Sequence, residues 1–421
     1  MASDYSAARQ EFVDRINAGV SLAVPFMQKR VNLGKDAINK NTRSNGVIEV
    51  YVPAGGTGDT EQLTGPSGPV SGALDRTNDT DRGNSSYYKI SCYAHNAWEL
   101  VNHGALEDIF QIGEITPNIV KPRINHLVQN IEKDLLQRNW TRAAGVCVSA
   151  TADFGVLSKS MAYLEAIKAT GSWTGFMSPL MKSLLSTASM REKFDLPDDI
   201  MKEMYRRNSI GIYANADWVN EAFMPMFTQG AALSAADTGV AVNGAVSTQG
   251  ATEITIDGLE AGTIKKGTPF TIEGIYDVST AGLKMDWLKT FVVQEDATVT
   301  EGAATVKVLP IYFNDNTKGY QNTVFAEDSK IPDNAVVTGL CESGATYYTS
   351  FIKEDEAFNW TPFELPDVEG CNNTTTSTEE MSVQLASGGN LLKRYNSMRL
   401  DCAYFGDIVD PRACRLIYVK A

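Results

Sequence analysis

Between residues 120 and 144 apolar side chains recur at intervals of three and four, at Ile124, Leu127, Val128, Ile131 and Leu135. Arg123, Asn125, Gln129, Asn130, Lys133, Asp134, Gln137 and Arg138 fill the other side. This spacing predicts one long amphipathic helix with a single buried stripe. Pro122 suits its first turn, where a missing N–H costs nothing, and Gly145 suits its end. At ~1.5 Å per residue such a helix spans about 35 Å, long enough to act as the girder of an elongated domain.

Ahead of the girder the pattern is of a different kind. Ala7, Ala8, Phe12, Val13 and Ile16 predict a short helix over residues 4–18, and residues 32–45 dissolve into Lys, Asn, Asp and Thr, so the N-terminal part reads as an arm. Residues 47–52 and 87–93 are strands by β-branched and aromatic content. Between them lie Gly55, Gly56, Gly58, Gly65, Pro66, Gly68, Pro69 and Gly72, with Asp59, Glu61, Asp75 and Arg76 among them and no apolar period. Two strands joined by so long a turn-rich stretch predict a loop that leaves the body and lies on a neighbour. Residues 94–112, with Trp98, Val101, Ala105, Leu106 and Phe110, read as a helix.

After the girder, helices are expected over residues 154–170, 178–194 and 200–207, the last capped by Asp198 and Asp199, and a strand over 209–214. At Gly230 the character changes. Residues 231–344 show almost no helical period, and short alternating runs at 253–256, 269–272, 290–293 and 305–308 are punctuated by Gly258, Gly262, Gly267, Gly274, Gly282 and Gly302. That is the mark of a small β-barrel or sandwich inserted into an α+β chain. Mixed character resumes at 347–363, and residues 415–419 form a final strand.

Composition narrows the function. The 37 Lys and Arg against 51 Asp and Glu give a net charge of −14, a poor match to phosphate neutralisation along nucleic acid. Six scattered cysteines form no CxxC and predict free thiols. No secretory signal or membrane span is legible at the N-terminus. Gly55-Gly56-Thr57-Gly58 lacks the following Gly-Lys-Ser/Thr of a phosphate cradle, and His95, His103 and His126 have no ligand spacing. The carboxylate pairs Asp198-Asp199 and Glu379-Glu380 read as caps. Asn139-Trp140-Thr141 matches a glycosylation sequon but lies inside the long helix. No catalytic, cofactor or metal site emerges, which shifts weight from an enzyme to a protein whose work is assembly.

The order of parts, together with Lys265-Lys266-Gly267-Thr268-Pro269-Phe270-Thr271-Ile272-Glu273-Gly274-Ile275, Val293-Gln294-Glu295-Asp296-Ala297-Thr298, Ala386-Ser387-Gly388-Gly389, Arg399-Leu400-Asp401-Cys402-Ala403-Tyr404-Phe405-Gly406 and Pro411, resembles the major coat proteins of tailed bacteriophages. These have the Hong Kong ninety-seven (Johnson) fold, and the nearest resemblance is to the P-twenty-two-like podovirus coat. The resemblance covers nearly the whole chain in order and rests on collinearity. It implies an N-terminal arm (1–46), an extended β loop (47–93), a peripheral domain with the spine helix (94–144 and 400–421), an axial domain (145–230 and 345–399) and an inserted β domain (231–344).

It further implies a non-enzymatic major capsid protein without cofactor. Such a protein self-assembles into hexamers and pentamers in the host bacterial cytoplasm and forms the icosahedral shell of the virion around double-stranded DNA, which it does not read by sequence. Scaffolding protein and portal are the implied assembly partners, and no membrane is involved. Asp59, Glu61, Asp75, Arg76, Arg123, Lys133 and Arg138 are the expected inter-subunit contacts. The long charged loop that bridges two-fold axes in the relatives corresponds here to residues 243–253, which are short and nearly uncharged, so that role is not carried over. The alternative reading is a hydrolase with an appended β carbohydrate-binding module.

Overall fold

The computed structural model describes residues 47–53, 64–65, 68–69, 87–104, 121–167, 171–185, 211–279, 283–313, 323–377, 381–390 and 395–421. Within them the chain is mixed α and β, mostly strand. The long helix, α1, runs Lys121–Asn139 with Pro122 in its first turn. Of its predicted stripe, Leu127, Val128, Ile131 and Leu135 are in the core and Ile124 packs half-buried against it, and Leu136, outside the predicted stripe, is buried as well. Each such side chain contributes about 1.5–3 kcal/mol by leaving water.

Helix α1 lies on a six-stranded sheet in the order Val47–Pro53, Tyr87–Gly104, Tyr395–Ile408, Ser382–Asn390, Asn372–Ser377, with Phe358–Phe363 pairing the far end of Tyr395–Ile408. Here one expectation fails. Residues 94–104 are strand, continuous with 87–93, and not the start of a helix. The reason is tertiary: Ala94 to Gly104 pair residue by residue with Phe405 to Tyr395, so the backbone is satisfied across the sheet. Side-chain burial follows a period of two, with Ala97 and Glu99 buried and Asn96, Trp98 and Leu100 exposed. Trp98, the anchor of the supposed helical stripe, is 53% exposed. Residues 105–112 lie outside the described residues, as do the short helices expected at 4–18 and 200–207.

A second sheet of seven strands has the order Val146–Ser149, Cys414–Lys420, Thr346–Glu354, Trp173–Met177, Ala216–Asn220, Gly211–Tyr213, with Met226–Thr228 beside Thr346–Tyr348. Every residue from Cys414 to Val419 is buried, as expected of a central strand covered on both faces. Helices α2 (Phe154–Ile167) and α3 (Pro179–Leu185) pack on this sheet. Gly211–Tyr213 turns into Ala216–Asn220 through Ala214 and Asn215, both at positive φ, which is the hairpin turn whose twist matches the strands.

Residues between Ala232 and Val337 enclose a separate apolar core. Three small sheets surround it: Ala241–Val242/Ala251–Asp257/Ala304–Ile311, Thr263–Ile264/Ala297–Thr298, and Lys284–Val292/Pro269–Val278/Val337–Gly339. Single bridges at Ala241–Val336, Val246–Ile331 and Tyr276–Phe325 link their borders. The chain passes into and out of this barrel-like unit side by side, since Gln229 N–H donates to Ala345 O and Gly344 N–H to Gln229 O. The expected strand runs 253–256, 269–272 and 305–308 lie within observed strands, and 290–293 overruns its strand by Val293 alone.

The unit is fastened to the end of α1. Gln294 Nε2 donates to Thr141 O (2.8 Å), Lys266 Nζ to Gln137 O (3.1 Å), and Tyr418 Oη to Gly267 O (2.8 Å). Trp287 meets Tyr163 of α2 edge-on with ring centroids 4.9 Å apart.

Candidate assembly surface

The expected contact residues fall in two groups. Asp59, Glu61, Asp75 and Arg76 lie outside the described residues. Their setting is nonetheless partly drawn: Val47–Pro53 pairs with Tyr87–Tyr93 over seven residues, and Thr64–Gly65 pairs with Gly68–Pro69. Because Tyr395–Ile408 pairs only from Ala94 onward, residues 87–93 and 47–53 extend beyond the sheet as a two-stranded ribbon among the described residues. At ~3.3 Å per residue the paired part is about 23 Å long.

Arg123, Lys133 and Arg138 sit on the polar side of α1. Lys133 is exposed. Arg123 is half-exposed and its Nη1 lies 3.7 Å from Glu99 Oε2. Glu99 is itself buried and also takes Asn130 Nδ2 (3.2 Å) and His126 Nδ1, so three residues of α1 converge on one strand carboxylate. Arg138 is committed inside the chain. It grips Asp134 with two nitrogens, Nε to Oδ1 at 3.1 Å and Nη2 to Oδ2 at 2.8 Å, and gives Nη1 to Asp407 Oδ1 at 2.9 Å.

Around Arg138 the structure assembles groups that the sequence reading did not join. Arg142 Nη1 lies 3.4 Å from the same Asp407 oxygen, and Tyr404 Oη donates to Asp134 Oδ2 at 2.7 Å. Burial raises the Asp407 carboxyl, opposed by the two guanidiniums, and raises the Tyr404 hydroxyl, helped by the Asp134 charge. Burial lowers His95, with Arg138 adding to it. Arg138 itself is raised, because Asp134 and Asp407 overcome the cost of its burial. The Asp134/Arg138 spacing of four was legible as one helical face, and Arg142 lies just past the helix end. That Asp407 and Tyr404 meet it was not, since they lie about 270 residues away in sequence.

On the other side of the strand, Asn96 Nδ2 and the Arg399 guanidinium bond Asp401, and Arg399 stacks 5.0 Å from the Trp98 ring. Between α1 and this strand a cleft of about 560 Å³ opens, with Trp98, Leu100, Glu99, Arg123, Asn130 and Asp134 among its walls. The arrangement is polar and cross-linked by hydrogen bonds and ion pairs. Among the described residues no three His, Cys, Asp or Glu side chains cluster as a metal site, and all six cysteines are unbridged. No described helix is long and apolar enough to cross a membrane. Asn139 of the sequon is fully buried, bonding Leu135 O, Gly406 O and Ile408 N, so it locks α1 to Tyr395–Ile408 and is closed to glycosylation.

No family model matches the sequence, and no curated protein matches it. Among solved structures the chain is similar to the capsid of cyanophage Pam1, at 7% identity and a TM-score of 0.45 over 93% of this chain and 88% of that one. It is similar to the capsid of cyanophage P-SCSP1u at 6% identity and a TM-score of 0.43, over 93% of this chain and 86% of that one. It is likewise similar to a chain from Mycobacterium phage Che8 at 7% identity and a TM-score of 0.42, covering 94% of this chain and 90% of that one. No residue's role passes from those chains to this one.

Proposed function

We propose that this chain is the major capsid protein of a tailed bacteriophage, assembling with copies of itself into hexamers and pentamers that close an icosahedral shell around double-stranded DNA. The observation that carries the reading is the ribbon Val47–Pro53/Tyr87–Tyr93, which runs on from a sheet strand with no further strand paired to it among the described residues. A ribbon of two strands is marginal alone in water and becomes stable when it lies on another surface. A shell of identical subunits supplies that surface at every position.

In this reading residues 1–46 are an arm, 47–93 the extended loop, 94–144 with 400–421 the peripheral domain, 145–230 with 345–399 the axial domain, and 231–344 an inserted β domain. Asp59, Glu61, Asp75 and Arg76 of the loop, and Arg123, Lys133 and Arg138 of α1, make polar contacts between copies. Arg138 takes part through the Asp134 and Asp407 network that holds it. Scaffolding protein and portal act during assembly in the host cytoplasm, and packaged DNA, which brings its own counterions, tolerates an acidic wall. The role is structural and uses no catalytic centre.

Electron microscopy of the purified recombinant chain, alone and co-expressed with a scaffolding partner from adjacent genes, tests this. Closed shells, tubes or spirals of regular capsomers are expected. Monodisperse small particles under both conditions would overturn the reading and return weight to a hydrolase with an appended β module.

A further inference from the structure

Where the β unit meets the segment after α1 and the end of Tyr395–Ile408 there is a cavity of about 310 Å³, walled by both sides. From the barrel come Phe291, Val292, Ile311 and Val324, and from the body Ala144 and Ile408, all of them buried apolar side chains. Among the described residues three cations also line it, Arg142, Lys289 and Arg412, and no aspartate or glutamate does. In a chain of net charge −14 a wall with three cations and no acid is a local inversion of sign. The acids that hold these cations, Asp407 at 3.4 Å, Asp277 at 2.8 Å and Asp410 at 3.5 Å, are not among the lining residues.

We propose that this cavity binds a small amphiphile with one anionic head and an apolar body of about ten heavy atoms. Apolar walls with a few placed polar groups are the ordinary make-up of a small-molecule site. At ~30 Å³ for each water-sized group the volume admits a molecule of the size of a medium-chain fatty acid. The cations select its head: a carboxylate among guanidinium and ammonium groups makes charge-assisted hydrogen bonds, whereas a cationic head is repelled. A ligand seated there touches the barrel and the segment after α1 together, and so fixes one against the other. The inference is independent of the shell reading, because it concerns a single chain.

Isothermal titration calorimetry of the full unassembled chain with octanoate, octanol and octylammonium provides the test. All three share a tail and differ in head charge. Saturable one-to-one binding of octanoate is expected, with octanol and octylammonium weaker by about tenfold or more. The variant Ala144→Leu, which fills the cavity from the body side, should abolish octanoate binding. Equal binding of the three compounds, no binding of octanoate, or undiminished binding to a folded A144L protein would each overturn the proposal. The head-group comparison uses the unaltered protein and decides the matter even if A144L fails to fold.

Discussion

Gly267 is the residue on which the barrel turns towards the body, and Gly267→Ala isolates what that junction is worth. Thr268 N–H donates to Lys265 O across the turn, and Gly267 occupies its third position at φ +94°, where a Cβ is disfavoured. Its N–H donates to Val293 O at 2.7 Å and its C=O accepts from Tyr418 Oη at 2.8 Å, so it cannot slide away. A Cβ built there would lie 2.4 Å from Trp140 Cη2 and 3.1 Å from Tyr418 Oη.

Two costs add. Holding alanine in the left-handed region costs about 1–2 kcal/mol, and forcing a methyl into the packed Trp140 site costs about 1–3 kcal/mol more. Alanine recovers roughly 0.4–1 kcal/mol by stiffening the unfolded chain, so the net loss should be about 2–4 kcal/mol. Gly274→Ala supplies the control. It lies in the same unit at φ +79° with nothing within 4 Å of a built Cβ, so it bears the backbone cost alone, about 1 kcal/mol. Urea unfolding of the unassembled chain, followed by tryptophan fluorescence, measures both. If G267A is no more destabilised than G274A, the claim that Trp140 and Gly267 close the junction by contact is wrong.

Other perturbations probe the helix and the loop. Asp407→Ala removes the buried carboxylate shared by Arg138 and Arg142, and thermal unfolding should show a loss of about 3 kcal/mol or more. Glu132 on α1 is raised to about 8, chiefly by burial and then by the neighbouring Glu221 carboxyl. The folded chain therefore holds this proton more tightly than the unfolded one, whose value is 4.5. The associated stability is complete below the unfolded value, falls as pH rises between the two values, and is gone above about 8. Glu132→Gln should flatten the decline in melting temperature over that window, a difference on the order of 2 kcal/mol once solvent screening of this half-exposed group is allowed for; an unchanged pH profile would count against the pair. In the loop, Glu61→Lys should lower particle yield and heat resistance, and unchanged particles would remove Glu61 from the inter-subunit contacts.

Local pattern alone determined the parts whose burial is periodic. The stripe of α1, with Pro122 and the apolar spacing of three and four, was readable because a helix hides one face whatever it packs on. Four strand runs between residues 251 and 311 and the terminal strand Cys414–Lys420 were readable because alternation, β-branching and punctuating glycines are likewise local properties. Residues 94–104 were misread because Trp98, Val101 and Ala105 also fit a helical spacing. Only the ladder to Tyr395–Phe405, some 300 residues away, decides for strand. The tertiary structure alone also decided the charge network. Asp134 and Arg138 announce a helix face, but that the face closes on Asp407 and Tyr404, that Glu99 is a buried acceptor, and that a cavity with no acid among its described lining opens beside Ala144, are facts of which segments meet. A one-dimensional pattern records how each segment hides its own apolar side; it carries no term for the partner it hides against.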